Sequence, residues 1–270
     1  MKKLLILSYL ILSALMAACS SGHPPVRTGA ERMEEYLPLI EGRTFALVAN
    51  HSSVVEGQHL VDTLLASGIE KGQIVKVFAP EHGFRGDQAA GVEIEDGTDA
   101  LTGIPVASLY GSHKKPEAGE LDGIEIMLFD LQDVGARFYT YISTLHYVME
   151  ACAENGIPLV VLDRPNPNGG YVDGPVLDTA YRSFVGMHPI PVVYGLTIGE
   201  MAGMINGEGW LSQGIQCDLT VINCAGYLHG QAYSMPVSPS PNLANDHVIS
   251  LYPSTCFFEG TTLSEGRGTT

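Results

Sequence analysis

Short, almost wholly apolar runs at residues 44–49, 74–79, 124–129 and 159–162 constrain this chain more than any other feature. A run with no polar face belongs to a strand covered on both sides, the usual condition of a parallel sheet. Between the runs lie segments with helical spacing. Residues 60–66 form one that ends at Gly68, and Ile142, Leu145, Val148, Met149 and Cys152 repeat along one helix face before Gly156 stops them. Strands alternating with helices predict an α/β fold, a parallel sheet with helices on both faces. With 270 residues, 45% apolar and 16% charged, the chain can fill such a core. After Pro165 the texture turns to loops rich in Pro, Gly and Asn, which suggests a boundary near residue 170. Beyond it, Thr197 and Glu200 have capping-box spacing for a helix over 198–206, residues 218–223 read as another strand, and 236–270 show no clear element.

The N-terminus reads as an address. Lys2 and Lys3 precede an apolar stretch over 4–18, and small residues lead to Cys19. The stretch is too short for a comfortable membrane span. Met16-Ala17-Ala18-Cys19-Ser20-Ser21-Gly22 resembles a bacterial lipobox, with Met16 where leucine is commoner. The expectation is a signal peptide over 1–18, lipidation of Cys19, a tether over 19–38 and export to the periplasm, held to a bacterial membrane by the lipid alone. A plain secretory signal with a chance cysteine is the alternative.

Removing the signal leaves 12 basic against 30 acidic side chains, so tight binding to nucleic acid is not expected. A few arginines in one cleft could still receive an acidic small molecule. Cys152, Cys217, Cys224 and Cys256 offer no zinc spacing. Cys217 and Cys224 could form a disulfide in an exported protein, but they flank an apolar strand and read better as buried thiols.

In an open parallel sheet, ligands bind outside the carboxyl ends of the strands. Here those ends read Asn50-His51, Pro80-Glu81-His82-Gly83, Asp130 and Asp163-Arg164-Pro165. Taken alone, Asn50 or Asp163 is most simply a helix cap or a solvated turn; the four together point to a site. In Pro80-Glu81-His82-Gly83-Phe84-Arg85-Gly86 an acid, an imidazole and a guanidinium follow a buried strand directly. A carboxyl group at such a mouth can be desolvated, which raises its pKa and suits it to general-acid work. Alternatively, Glu81 pairs with Arg85 structurally. Arg137 either binds a ligand carboxylate bidentately or neutralises Asp130 or Asp133. Tyr139 and Tyr141 either stack on a sugar ring or begin the next helix, the better reading for Tyr141. The serine-hydrolase elbow, the P-loop, the dinucleotide glycine fingerprint and H-E-x-x-H are all absent.

The strings Pro80 to Gly86, Phe129 to Tyr141, Asp163-Arg164-Pro165-Asn166-Pro167, Asp173-Gly174-Pro175, Pro189-Ile190-Pro191 and Glu259-Gly260-Thr261 to Gly268-Thr269 resemble those of the exo-β-N-acetylmuramidases, in the same order from about residue 40 onward. Those enzymes are peptidoglycan hexosaminidases that release N-acetylmuramic acid from the non-reducing end. The resemblance implies a Rossmann-like subdomain over 39–170 and a second, smaller α/β subdomain over 171–270, with the site between them. It maps the family's catalytic glutamate onto Glu81. His82, Arg85, Asp130, Arg137, Asp163, Arg164, Asn166, Glu259 and Arg267 occupy matching motif positions; our own reading of their roles puts His82 and Asp130 beside the chemistry, and Arg85, Arg137, Tyr139, Asp163, Arg164, Asn166, Glu259 and Arg267 at the substrate. No cofactor or metal is expected, and the implied partner is a peptidoglycan-derived saccharide. Two departures stand out. Tyr194 occupies a position before Gly195 where the family usually carries histidine, and the chain reads as C-terminally truncated relative to the family, with its second subdomain incomplete.

For glycoside hydrolysis, Glu81 would protonate the leaving oxygen. The attacking group is then either Asp130, as nucleophile or base, or the substrate's own 2-acetamido group. Selecting muramic acid over glucosamine needs a cation for the lactyl carboxylate, which Arg85, Arg137 or Arg267 could supply. Two other readings are a metal-dependent hydrolase using His51, Glu81, His82, Asp130 and Asp163, and a sugar-binding lipoprotein without catalysis.

Overall fold

A computed structural model describes residues 24–81, 83–86 and 96–263. In chain order its strands are β1 (Phe45–Ala49), β2 (Val54–Val55), β3 (Gln58–His59), β4 (Ile74–Ala79), β5 (Gly97–Thr98), β6 (Pro105–Ser108), β7 (Ile126–Asp130), β8 (Leu159–Leu162) and β9 (Leu219–Ile222). The α-helices are α1 (Met33–Ile40), α2 (Leu60–Ala66), α3 (Tyr141–Asn155), α4 (Ile198–Gly207) and α5 (Asp246–Thr255). Seven strands form one sheet in the order β5-β6-β4-β1-β7-β8-β9, while β2 and β3 make a separate antiparallel pair. All neighbours in the large sheet are parallel except β5, which runs antiparallel to β6.

The chain starts at the centre with β1, steps outward through β4 and β6, then returns beside β1 as β7 and steps outward the other way through β8 and β9. This is the strand order of doubly wound, Rossmann-like sheets, whose direction of winding reverses between β1 and β7. The reversal opens a crevice at the carboxyl ends of the strands, because the connections on its two sides diverge.

Alternation along each strand divides the core into two layers. Ala46 and Val48 of β1, Met127 and Phe129 of β7, and Leu159 and Val161 of β8 pack on the side of α3 and α4. Phe45, Leu47 and Ala49, then Ile126 and Leu128, then Val160 and Leu162, pack on the side of α1 and α2. Both faces are therefore covered, which explains why the strands show no polar alternation.

The expected strand at 218–223 is β9, paired in parallel with β8 through Leu159↔Leu219 to Leu162↔Ile222. The large sheet thus continues across the change of texture near residue 170. Helix α4 opens with the expected capping box: the Thr197 hydroxyl accepts from the Glu200 amide at 3.2 Å, and the Glu200 carboxylate accepts from the Thr197 amide at 2.8 Å. Residues 24–38, expected to be part of a tether, pack onto the fold. Tyr36 of α1 is fully buried, and Arg27 and Ala225 exchange backbone hydrogen bonds of 2.9 and 2.8 Å. Helix α5 lies where no element was expected. Cys217 and Cys224 are free thiols, as are Cys152 and Cys256. No helix among the described residues is long and apolar enough to cross a membrane.

Candidate active site

The crevice begins at Asn50, directly after β1. Its side-chain Oδ1 accepts from the Ser52 amide at 2.9 Å and the Ser52 hydroxyl at 2.6 Å, closing a tight turn. Its Nδ2 donates to the Tyr141 hydroxyl at 2.7 Å, which in turn donates to the backbone carbonyl of Glu81 at 3.4 Å. A residue from β1, one from β4 and the first residue of α3 therefore meet at one point. Glu81 is half-buried. Tyr110, just beyond β6, lies beside its carboxyl group; burial and that neighbour push the Tyr110 pKa above the usual phenol value. His51 forms the next part of the wall. Its Nε2 donates to the Ser238 carbonyl at 2.9 Å, and burial lowers its pKa. Gly86 sits against this ring with φ +81°, where an added Cβ would come within 2.7 Å of His51 Cβ. Glycine there lets the loop carrying Glu81 lie close to the wall.

Several expected site residues are committed to holding the scaffold. Arg85 does not pair with Glu81. Its guanidinium is clamped by Asp62 at 2.7 and 3.1 Å and by Asp99 at 3.1 and 2.8 Å. Burial would raise the Asp99 carboxyl, yet Arg85 and the Thr102 hydroxyl hold it down at about 2. Asp130, at the end of β7, is fully enclosed and bound through both oxygens by Arg164, from Nε at 2.5 Å and Nη2 at 2.8 Å. Burial raises the Asp130 carboxyl against the pull of that guanidinium. Arg164 also donates to the Val54 carbonyl at 3.1 Å, tying the end of β8 to the β2–β3 pair. Asp163 accepts from the Gly199 amide at 2.7 Å and the Thr197 hydroxyl at 3.1 Å, so it serves the N-terminus of α4. Asn166 is buried beneath Gly135: its Nδ2 donates to the Leu196 carbonyl at 2.9 Å and its Oδ1 accepts from the Asn168 amide at 2.8 Å. The sequence expectation that Asp130 attacks substrate, and that Arg85, Asp163, Arg164 and Asn166 bind it, meets side chains whose polar atoms are engaged with the protein.

A second group lies along the loop after β7. Tyr139 donates to the Pro239 carbonyl at 2.8 Å and packs edge-on against Tyr141, with ring centroids 4.8 Å apart. Tyr252 of α5 packs edge-on against Tyr139 at 6.0 Å, and Glu259 lies beside its hydroxyl. This tyrosine series connects the surroundings of Glu81 to Glu259, 178 residues later in the chain. Beside it lies Asp133, buried, with Oδ1 accepting from the Gly135 amide at 2.7 Å and from the Tyr194 hydroxyl. Burial pushes the Asp133 carboxyl up to about 6 against those hydrogen bonds. Arg137 neutralises neither Asp130 nor Asp133. Its Nη1 donates to the carbonyls of Pro175, at 2.9 Å, and Ile190, and burial lowers its pKa.

His82, Arg267, Cys19 and the signal segment lie outside the described residues. Among the described residues no three His, Cys, Asp or Glu side chains come together in a way that could hold a metal ion. Sequence reasoning missed Tyr110 and Tyr252. Tyr110 follows a strand end like the others, and the same rule would have found it had β6 been recognised.

The comparisons with known proteins bear on the same residues. Residues 45–247 match "Exo-beta-N-acetylmuramidase NamZ, N-terminal" and residues 250–270 match its C-terminal counterpart. The chain is 44% identical over 254 residues to "Peptidoglycan beta-N-acetylmuramidase NamZ" of Bacillus subtilis (strain 168), covering 92% of this chain and 60% of that protein. It is similar to the crystal structures of two DUF1343 family proteins from Bacteroides fragilis, at 46% and 35% identity, each with a TM-score of 0.82. Those matches cover 92% of this chain and 65% and 64% of the two structures. The chain therefore spans about three fifths of the length of the curated relative it matches. With 203 contiguous residues matching the N-terminal family description, the chain belongs to the exo-β-N-acetylmuramidase family.

Proposed function

We propose that the protein is an exo-acting glycoside hydrolase that removes terminal β-N-acetylmuramic acid from the non-reducing end of peptidoglycan fragments. The observation that carries this reading is the position of Glu81. It is a half-buried carboxyl group at the carboxyl end of β4, beside Tyr110 and backed by the Asn50–Tyr141 contact, in a chain 44% identical to a peptidoglycan β-N-acetylmuramidase. Glu81 gives its proton to the glycosidic oxygen as the bond to the anomeric carbon breaks, and the leaving sugar departs as a neutral alcohol. The enclosure of Asp130 takes away the direct nucleophile suggested by the sequence. Attack then falls to the substrate's 2-acetamido oxygen, with water completing the hydrolysis and returning a proton to Glu81.

The test is nitrophenol release from 4-nitrophenyl β-N-acetylmuraminide, with the glucosaminide as control and EDTA in parallel. Muraminide-selective turnover that survives EDTA and falls by about 10²–10⁴-fold in Glu81→Gln is the expected result. A cooperatively folded protein that binds N-acetylmuramic acid without turnover would favour the sugar-binding reading instead.

We also propose export to the periplasm and anchoring through lipidated Cys19, supported by the basic, apolar and small-residue order of residues 2–19. Mass spectrometry of the N-terminal peptide from membrane-extracted protein should find a diacylglyceryl modification on Cys19. An unmodified N-terminus in the soluble fraction would exclude the anchor.

A further inference from the structure

Arginine binds a carboxylate most specifically through the edge formed by Nε and one terminal nitrogen, where two parallel N–H groups match two oxygens. This chain uses that edge twice. Arg164 presents Nε and Nη2 to Asp130, and Arg85 presents Nε and Nη2 to Asp99. Arg137 is also buried, at 5% exposure, but is held differently. Its Nη1 is fixed by the Pro175 and Ile190 carbonyls and its guanidinium lies 5.4 Å from the Phe138 ring centre. The Nε atom is buried with no hydrogen-bond partner, and Nη2 makes no hydrogen bond to a described residue. Among the described residues its guanidinium makes no ion pair with a carboxylate. A buried cation without an anion is costly, and a ligand carboxylate would relieve that cost.

Position supports the same assignment. Arg137 precedes Tyr139 by two residues, Tyr139 packs on Tyr141, and the Tyr141 hydroxyl reaches the Glu81 backbone. We propose that the Nε–Nη2 edge of Arg137 receives the lactyl carboxylate of N-acetylmuramic acid and is what separates muraminides from glucosaminides. This rests on the glycosidase reading above and assigns its selectivity to one residue. Arg85 and Arg164 are spent on aspartates and are unsuited to the role, and Arg267 lies outside the described residues.

The experiment is calorimetric titration of the full chain, as wild type, Arg137→Gln and Arg137→Lys, with N-acetylmuramic acid, its methyl ester and N-acetylglucosamine. Wild type should bind the acid about 10- to 100-fold more tightly than the ester. Arg137→Gln should abolish that ratio while leaving ester binding in place. Arg137→Lys should keep part of it, since an ammonium supplies charge without the fork. Equal binding of acid and ester by wild type, or an undiminished ratio in a folded Arg137→Gln, overturns the assignment. Because Arg137 also braces two carbonyls, each variant is checked by thermal melting; if Arg137→Gln does not fold, the wild-type ratio and Arg137→Lys decide. Muraminide turnover with no acid–ester discrimination would overturn the role of Arg137 and leave the glycosidase reading standing. Absence of both turnover and sugar binding would overturn both.

Discussion

Asp130 and Arg164 show how a polar residue at a strand end can be essential without touching a ligand. Both are enclosed, and their charges are bearable only together. Replacing one partner, as in Arg164→Met or Asp130→Asn, should cost about 3–5 kcal/mol, because a charge or a hydrogen-bonding group is left buried alone. The double replacement Asp130→Leu with Arg164→Met should cost clearly less than the sum of the single changes. Urea unfolding of the four proteins checks this, and strictly additive losses would refute the mutual dependence. The pair also marks what the sequence conceals. That Asn50, Glu81, Asp130 and Asp163 share a rim was legible, because each follows an apolar run. Which of them are taken was not: Arg164 lies 34 residues from Asp130, and Arg85 is held by aspartates 23 and 14 residues away. Such partnerships depend on topology, and no local spacing announces them.

Helix α2 starts at an unusual cap. The neutral His59 ring accepts the Val61 amide at Nδ1, 3.3 Å away, while Nε2 donates to the Asn50 carbonyl at 3.0 Å. Burial first, and the Arg85 charge second, press its pKa down to about 4 from 6.5. The unfolded chain therefore takes up this proton first, so stability is intact above pH 6.5 and is lost as the pH falls toward 4. His59→Asn supplies a pH-independent cap and should lower the dependence of unfolding free energy on pH in that window by about one proton. Parallel unfolding curves across the window would contradict the cap's titration. At this scale the central strands, α2 and α3 were legible because their apolar spacing is continuous, and α4 was legible from its capping box. Strand β6 begins with Pro105 and is partly exposed, while α1 and α5 contain Pro38 and Pro253. Proline within a helix contradicts the local rule, and tertiary burial of Tyr36, Ile40, Ile249 and Tyr252 overrides it.

For the molecule as a whole, β9 is where the start of the described chain meets its later part. It closes one edge of the sheet on β8, while Arg32 donates to the Asn223 carbonyl at 2.5 Å and Arg27 pairs with Ala225. A chain ending at Cys217 should therefore lose the N-terminal segment as well as the edge strand, and show no cooperative thermal transition by circular dichroism. A sharp melt would show that the remaining strands suffice. Two contacts that wall the crevice also span the chain: His51 reaches Ser238 across 187 residues, and Tyr139 reaches Pro239 across 100. At ribosomal rates of about 5–20 residues per second, roughly 10–40 s separate the synthesis of His51 from that of its partner. Until Ser238 and Pro239 have followed, the wall of the crevice has no second side. The crevice is thus completed late by its own topology: a chain emerging from its N-terminus presents Glu81 well before the residues that wall it.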